Sequence, residues 1–261
     1  MNKERIYLKD ITFLIPFRLD SVSRLENLNI ILSYLTTYFD TNIDLLETGI
    51  NSSVDYILRH DSIKYTYLYS EDQYFYHTLY NNKLLLAVTG DYVVIYDSDV
   101  IISPVQILES ANLLRKDRAD FVLPHNGECY NVDDFTKRML KQKLSLQLIN
   151  ENKLFYYLVT KNCFGGCLFA NQKKFIAAGM DNENIKGWGH EDIERIKRIH
   201  KLGLRLSCID GPIYHLPHER PNSSFLDEQS ALSSYVQYFK TCSSSPTELR
   251  NIINEWTWIH I

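Results

Sequence analysis

Cysteine, glycine and proline are scarce and dispersed in this chain of 261 residues. The five cysteines are odd in number and show no CxxC spacing, which argues against a disulfide framework and against a zinc knot. No Gly/Ser-rich or Pro-rich tract occurs before the SSSP near residue 245, and no repeat of fixed period is present. The lack of a linker predicts one compact domain with a C-terminal appendage.

Long apolar runs and long basic runs are also missing. No stretch approaches the roughly 18 apolar residues of a membrane span, and MNKERIYLKD lacks the apolar segment of a signal peptide, so a cytoplasmic location is expected. The formal charge is −4 without any run of Lys and Arg, which argues against a nucleic-acid partner because phosphate backbones require a basic face.

Strand-like and helix-like segments alternate along the first half of the chain. ITFLIPF (11–17), IDLLET (43–48) and YVVIYDSDVII predict strands, while RLDSVSRLENLNIILSYL and HTLYNNKLLLAV (77–88) predict helices. This alternation is typical of βαβ units, so we predict an α/β fold with a mainly parallel sheet flanked by helices. Ligands bind beyond the carboxyl ends of such strands, where LIPFR and VVIYDSD place polar residues.

The second half is less regular. FVLP (121–124) predicts a strand, 132–152 predicts one helix with a charged outer face, and the residues after about Ser230 are rich in aromatic side chains. We predict a main domain over residues 1–225 and a helical, aromatic-rich tail over residues 226–261.

Asp97 and Asp99 stand two residues apart at the end of an apolar strand. If the strand persists, both carboxylates point to the same side and form a paired oxygen site. A divalent cation or a cationic substrate would neutralise them. The alternative is a turn in which Asp caps backbone amides.

His215 and His218 flank a proline in IYHLPHER, a segment that cannot be helical throughout. Imidazole suits Mn²⁺, Zn²⁺ or Fe²⁺. With Asp99 the two histidines would make a mixed oxygen and nitrogen metal site; alone, they are a surface pair.

GWGHEDIERIKRIHKLG (187–203) opens a helix with isoleucines on one face and charged residues on the other, predicted to begin at Glu191 or Asp192. Acids in the first turn complement the helix dipole. The dipole does not explain Gly187 and Trp188: glycines around an indole allow a tight turn that presents a flat apolar face suited to stacking on a sugar ring.

NCFGGCLFA (162–170) places Gly165 and Gly166 inside an apolar run. Such glycines mark a bulge or a close approach of a ligand or of another backbone segment.

The order of these motifs resembles that of the β-1,4-galactosyltransferase-like glycosyltransferases, which have the GT-A fold and are related to a large bacterial family of inverting transferases. The shared features are PFR after the first strand, a DxD, FGG, GWGxED and a downstream His. They lie between Phe13 and His218, and the tail is not covered.

The resemblance implies a metal site. In that family the second Asp of the DxD binds Mn²⁺ at the UDP phosphates, which corresponds to Asp99, with Asp97 nearer the ribose or a metal-bound water. The downstream His corresponds to His218. His215 replaces a metal-reaching Met of the animal enzymes and offers a second imidazole. The implied cofactor is Mn²⁺ or another divalent cation.

The resemblance also implies the nucleotide and catalytic residues. Pro16, Phe17 and Arg18 match the loop around the nucleotide, and Glu47 stands where related enzymes hold uridine. Asp192 matches the catalytic base, Glu191 its neighbour that grips hydroxyls, and Trp188 the stacking indole. Members of the family react by a single displacement, so the resemblance implies that transfer inverts the anomeric centre of the sugar.

Cys163 precedes FGG where galactose-transferring members have a bulky aromatic residue and N-acetylgalactosamine-transferring members a smaller one. The expected donor is therefore UDP-GalNAc, with UDP-Gal kept open, and Gly165 and Gly166 would line the same sugar site. We hypothesise that Cys163→Tyr favours galactose.

The expected reaction is sugar transfer to a saccharide or lipid-linked saccharide acceptor in bacterial surface polysaccharide synthesis, with the tail resting on the inner membrane or pairing with another subunit. Three alternatives stand beside it. A sugar nucleotidyltransferase would normally have a Gly-rich basic loop near the N-terminus, but LIPFRLDS has no glycine. A zinc hydrolase would have HExxH on a helix, a spacing that His215 and His218 lack. A non-catalytic carbohydrate-binding protein with the same fold would not need Asp99, Asp192 and His218 together.

Overall fold

In a computed structural model of the protein, the structure describes residues 4–186, 189–219 and 228–260. The strands are β1 (Ile6–Phe17), β2 (Phe39–Gly49), β3 (Ile63–Tyr69), β4 (Tyr92–Tyr96), β5 (Val100–Ile101), β6 (Phe121–Leu123), β7 (Cys129–Asn131), β8 (Tyr157–Thr160), β9 (Cys167–Asn171), β10 (Leu206–Cys208) and β11 (Ile213–His215). The helices are α1 (Val22–Tyr38), α2 (His77–Ala87), α3 (Pro104–Arg115), α4 (Asp134–Gln142), α5 (Leu146–Glu151), α6 (Gln172–Ala177), α7 (Glu191–Lys201), α8 (Glu228–Ser243) and α9 (Pro246–Asn254).

The central sheet has the strand order β10-β6-β9-β4-β1-β2-β3 within the described ranges. Four of its pairs, β10–β6, β4–β1, β1–β2 and β2–β3, are parallel. Strand β9 is antiparallel to both of its neighbours, β4 and β6. The predicted mainly parallel sheet is confirmed, and β9 is the exception because the chain after FGG returns alongside the strand that leads into the DxD.

A smaller sheet with the order β5-β11-β7-β8 lies beside the central one. Strand β11 is antiparallel to β5 and parallel to β7. Because β5 begins directly after Asp99 and β11 ends at His215, this pairing joins two segments that are far apart in sequence.

Helices cover both faces of the central sheet. Alternate residues of β1 face opposite sides: Phe13 and Ile15 pack with α1 and α3, while Leu14 packs with α2, α6, α7 and α9. The alternation follows from the two-residue period of a strand. A strand buried on both faces reads as a continuous apolar run, as ITFLIPF does.

Three sequence predictions need correction. The helix predicted over 132–152 is two helices, α4 and α5, because the chain is extended at Lys143 and Leu144 packs against the core. The Tyr-rich segment contains an unpredicted edge strand, β3, whose side chains are only partly buried. The strand before the DxD ends at Tyr96, so Asp97 and Asp99 lie in a turn and do not share a strand face.

The C-terminal tail is helical from Glu228, and its last part belongs to the core. Trp256 and Trp258 are buried and stacked on each other at 4.8 Å between ring centroids. The indole N–H of Trp258 donates to the carbonyl of Gly179 at 3.2 Å. The predicted boundary at 225/226 falls outside the described residues and stays a prediction.

Helix α8 packs on the protein through polar side chains. Ser234 accepts a hydrogen bond from the His190 N–H at 3.2 Å, and Thr241 donates to Glu194 at 2.7 Å. Its outward residues Leu232 and Phe239 are 64% and 61% exposed. Helix α8 therefore carries an apolar face that the described part of the chain does not cover. None of the helices in these ranges combines the length and apolar character needed to cross a bilayer.

Candidate active site

The ends of three parallel strands meet at one edge of the central sheet. Arg18 follows β1, Glu47 lies near the end of β2, and Asp97 follows β4. The carboxyl ends of parallel strands share an edge, which is where α/β sheets bind their ligands. The polar edge predicted from LIPFR and VVIYDSD is present.

Asp99 lies beside the two histidines of IYHLPHER. Its Oδ2 atom is 3.1 Å from Nε2 of His218 and 3.7 Å from Nε2 of His215. The ligand atoms of the three side chains all lie within 4.8 Å of one another. The backbone produces this arrangement, since His215 pairs with Val100 and the Leu216 N–H donates to the Asp99 carbonyl at 2.7 Å.

Both imidazole rings are oriented by hydrogen bonds on their far side. Nδ1 of His215 donates to Oδ1 of Asn131 at 2.7 Å, and Nδ1 of His218 donates to the carbonyl of Glu219 at 2.7 Å. With Nδ1 engaged on the far side, each ring turns its Nε2 atom toward Asp99, which is the orientation that metal-binding histidines use. One carboxylate and two imidazoles fit Mn²⁺, Zn²⁺ or Fe²⁺.

The Asp99 carboxylate is ionised in this setting. Burial acts to raise its pKa, but His215, His218 and Arg24 together hold the pKa of Asp99 well below its usual range. The guanidinium of Arg24, on α1, lies 3.9 Å from Oδ2. The site therefore presents a permanent negative charge to a cation.

Asp192 lies in the first turn of α7 and faces the FGG loop. A Cβ atom built on Gly165 would lie 2.1 Å from Oδ2 of Asp192, so only glycine permits this contact. The Oδ1 atom accepts a hydrogen bond from Nη1 of Arg195 at 2.9 Å. Burial and Asp97 raise the pKa of Asp192, while Arg195 lowers it, and the net shift is upward. A carboxylate with a raised pKa is a better proton acceptor at neutral pH.

A histidine that the sequence did not single out stands among these acids. Nε2 of His77, the first residue of α2, lies 3.4 Å from Oδ1 of Asp97. Burial acts to lower the pKa of His77, but Asp97, Glu191 and Asp192 raise it to about 9. Burial and Asp192 in turn raise the pKa of Glu191 to about 7. At neutral pH His77 is therefore an imidazolium, and Glu191 is partly protonated.

The FGG loop is held by backbone contacts from both sides. Gly166 has φ +82°, and its carbonyl accepts from the Asp97 N–H at 2.9 Å. The carbonyl of Gly165 accepts from Nε2 of the buried His125 at 3.2 Å. Burial lowers the pKa of His125 to about 4, so this ring is neutral. The predicted close approach of another backbone segment is confirmed at Gly166 by Asp97, whereas at Gly165 it is the side chain of Asp192 that approaches.

Arg18 is the residue of PFR whose side chain reaches the edge of the sheet. Its Nη1 donates to the carbonyl of Asp72 at 2.9 Å, and its guanidinium lies 5.8 Å from the Phe75 ring centroid. Its Nε and Nη2 atoms are buried and have no hydrogen-bond partner within the described ranges. Buried donors of this kind require a partner, and an anionic ligand would supply it.

The other nucleotide residues predicted from the sequence lie deeper. Pro16 and Phe17 are buried in β1, and Phe17 is part of the core. The carboxylate of Glu47 is buried and accepts from the N–H of Ser53 at 2.9 and 3.1 Å, from the Ser53 hydroxyl and from the Tyr65 hydroxyl. Glu47 therefore organises the loop after β2, and contact with uridine by these three residues stays a prediction.

Cys163 lies between the FGG loop and the smaller sheet. Its N–H donates to the carbonyl of Gly127 at 3.0 Å and its thiol to the carbonyl of Gly165 at 3.6 Å, while the neighbouring Cys129 lowers the pKa of Cys163. Asp97 and Asp192 are its charged neighbours. This position is compatible with the predicted place beside the donor sugar. Gly187 and Trp188 lie outside the described residues, so the stacking role of Trp188 stays a prediction.

Sequence reasoning missed several polar residues of the site, namely Arg24, His77, His125, Asn131, Asp181 and Arg195. None stands in a recognisable local motif. His77 opens a predicted helix, and Arg195 lies on the charged face of α7, where a solvent-exposed position was expected. In the structure Arg195 is buried, and its partners are Asp181, in the chain between α6 and α7, and Asp192, one turn earlier on α7.

Comparison with protein families finds two overlapping matches. Residues 67–177 match a model described as glycosyl transferase family 2. Residues 147–219 match a model described as the N-terminal domain of galactosyltransferase. The resemblance drawn from the DxD, FGG and GWGxED motifs is confirmed by these matches. In sequence alone, no curated protein matches the chain.

Solved structures share the fold. Glucosyl-3-phosphoglycerate synthase from Mycobacterium tuberculosis, in complex with Mn²⁺, UDP and phosphoglyceric acid, aligns with TM-score 0.52 and 15% identity over 89% of this chain and 78% of that one. The catalytic domain of Drosophila β1,4-galactosyltransferase 7, in complex with xylobiose, aligns with TM-score 0.53 and 15% identity over 87% and 79%. The predicted GT-A fold is confirmed.

Proposed function

We propose that the protein is a metal-dependent inverting glycosyltransferase that moves a sugar from a UDP-sugar to an acceptor hydroxyl. The observation that carries the proposal is the convergence of Asp99, His215 and His218 at the same sheet edge as Asp192. Glycosyltransferase family models match the chain on both sides of the FGG loop, and two structures of the same fold bind UDP or a xylose disaccharide. These matches support a sugar-nucleotide substrate.

The proposed reaction is a single displacement. Asp192 accepts the proton of the acceptor hydroxyl as that oxygen forms a bond to the anomeric carbon. The bond between the anomeric carbon and the UDP oxygen breaks, and UDP leaves with the electron pair. Attack from the face opposite UDP inverts the anomeric centre. Glu191, whose pKa is about 7, is suited to hydrogen-bond a sugar hydroxyl in either protonation state.

Asp99, His215 and His218 would hold the divalent cation, with Mn²⁺ as the expected ion. When bound, the ion supplies charge stabilisation to the departing diphosphate. Arg18 has two buried donors without a partner and would pair with the nucleotide phosphates. His77 is a second cation at the same edge. These residues give the chain both a metal site and fixed positive charges for one anionic substrate.

The proposal is tested by measuring UDP release from a panel of UDP-sugars, with Mn²⁺ and with a chelator. We expect release that depends on the metal. Release of pyrophosphate from UTP and a sugar phosphate would instead indicate a nucleotidyltransferase. Sugar binding without release of UDP or pyrophosphate would indicate a carbohydrate-binding protein. Full activity in chelator would contradict the metal assignment.

Cys163 supports N-acetylgalactosamine as the donor sugar, with galactose as the alternative. Its small side chain beside the FGG loop leaves room that a tyrosine would fill. We expect Cys163→Tyr to raise the ratio of UDP-galactose to UDP-GalNAc turnover by about 10-fold or more, since one steric contact in a pocket contributes about 1–3 kcal/mol. UDP release from both donors measures this ratio. Cys208→Tyr on β10, at an exposed cysteine, is the matched control; an unchanged ratio in Cys163→Tyr would contradict the assignment.

We also propose that the enzyme acts in the cytoplasm at the membrane surface, in bacterial surface polysaccharide synthesis on a lipid-linked saccharide. The outward face of α8 supports a bilayer as its partner, because it is apolar and partly aromatic and carries no charge between Glu228 and Lys240. Co-sedimentation with phospholipid vesicles is expected for the parent and lost in Leu232→Ser/Phe239→Ser. Vesicle binding equal in both proteins, or a concentration-dependent dimer without vesicle binding, would contradict this.

A further inference from the structure

Arg195 is a buried cation that the proposed reaction does not use directly. Its side chain is 2% exposed, while that of Asp192 is 32% exposed. Substrates can therefore reach the acid but not the arginine. A buried guanidinium must be paired, and its partners show what it does.

Asp181 fixes the guanidinium from behind. Oδ1 of Asp181 accepts from Nε of Arg195 at 2.5 Å, and Oδ2 accepts from Nη2 at 3.0 Å. Such bidentate pairing sets the plane of the guanidinium as well as its position. The Nη1 atom is then directed at Oδ1 of Asp192, at 2.9 Å.

Helix α2 fixes Asp181 in turn. The amide of Asn81 donates to Oδ2 of Asp181 at 2.9 Å. The side chain of Asn82 accepts from the Asp181 N–H at 2.8 Å and donates to its carbonyl at 2.9 Å. The same helix begins with His77, which contacts Asp97. One helix thereby connects the DxD turn with the first turn of α7.

We propose that Arg195, held by Asp181, is a positioning residue that fixes the base Asp192 with its Oδ2 atom toward Gly165 and favours its ionised form. This inference rests on the proposed function. The Oδ1 atom of Asp192 already accepts a hydrogen bond from Arg195. The Oδ2 atom, which lies against the FGG loop, is therefore the one that takes the proton from the acceptor hydroxyl. The requirement for glycine at position 165 follows from the same geometry.

The charge of Arg195 opposes several acids around Asp192. The titratable and charged groups that face Asp192 are His77, Asp97, Cys163, Asp181, Glu191 and Arg195. Removing the Arg195 cation leaves the carboxylate beside like charges, so its protonated form is favoured. Since the base must be unprotonated, the acid limb of the pH–rate profile is expected to move to higher pH.

Arg195→Met tests the inference. We expect the acid limb of kcat for UDP release to move up by about one pH unit or more, as loss of an adjacent opposite charge does. We expect kcat at pH 7 to fall at least about 10-fold, with KM for the UDP-sugar changed by less than about 3-fold. Arg195→Lys should restore part of both effects. Asp181→Asn removes an acid and keeps the arginine, so its acid limb should move to lower pH.

Arg198→Met is the matched control. Arg198 is as deeply buried on the same helix, but it pairs with Glu194 and with the carbonyls of Ala178 and Met180. A merely structural role for Arg195 predicts that both methionine variants lower Tm and leave the pH profile unchanged, which would overturn the inference.

The failure of the inference can be told apart from that of the proposed function. Carbon-13 NMR titration of the aspartate carboxyls, with Asp192→Asn for assignment, measures the ionisation of Asp192 without any substrate. An upward shift in Arg195→Met supports the positioning role even if the parent releases no UDP. No shift overturns it whatever the activity.

Discussion

Asp192→Asn is expected to lower kcat for UDP release by about 10²–10⁴-fold, the contribution that a positioned general base makes. The substitution preserves the shape of the side chain, and its amide oxygen can still accept from Arg195. It removes the ability to accept a proton. The affinity for the UDP-sugar, measured by calorimetry with Mn²⁺, and the Tm are expected to stay close to those of the parent.

Asp55→Asn is a suitable control for this change. Asp55 is 81% exposed in its side chain and forms a surface pair with Arg59, so its loss removes the same charge far from any buried network. Retention of more than about a third of the parent rate by Asp192→Asn would rule out Asp192 as the base.

The pH dependence gives a second check on the base. In the parent, burial and Asp192 raise the pKa of Glu191 to about 7, and the pKa of Asp192 is also raised. Protonation of Asp192 removes the proton acceptor, so the rate should rise with pH until Asp192 is fully ionised. In Asp192→Asn this rise should disappear from the residual rate.

Asp99→Asn is expected to weaken Mn²⁺ binding by more than about 100-fold, because loss of a group that only supports a ligand already costs 10–100-fold. Calorimetry or the paramagnetic relaxation of water protons measures the binding without any sugar nucleotide.

Asn131→Ala provides a graded comparison. Asn131 accepts the hydrogen bond that orients His215, so its loss should weaken Mn²⁺ binding by about 10–100-fold, less than loss of Asp99. Equal Mn²⁺ affinity in the parent and in Asp99→Asn would show that the cluster is not a metal site.

The sequence was informative where a pattern is local. The apolar run of strand β1, the helical spacing of α1 and α7, and the acids at the start of α7 are set by neighbouring residues, and the structure confirms them. The order of motifs then led to the GT-A fold. The single helix predicted over 132–152 was wrong because the chain is extended at Lys143, where Leu144 packs against the core and separates two helices.

The sequence could not show which distant side chains would meet. Asp99 and His218 are brought to 3.1 Å by the pairing of β5 with β11, and strand pairing depends on the register of the whole sheet. Nor could the sequence show that Ser53 and Tyr65 would contact the carboxylate of Glu47. His77 became part of the site because α2 begins beside Asp97, and Arg195 because the chain between α6 and α7 places Asp181 on its guanidinium.

For this protein, the sequence by itself determined most of the strands and helices and the residue types available for chemistry, because those follow from local periodicity and side-chain character. The tertiary structure alone decided which of these residues face one another and which pKa values shift. Distances and burial arise from contacts between segments far apart in the chain, and such contacts leave no local pattern in the sequence.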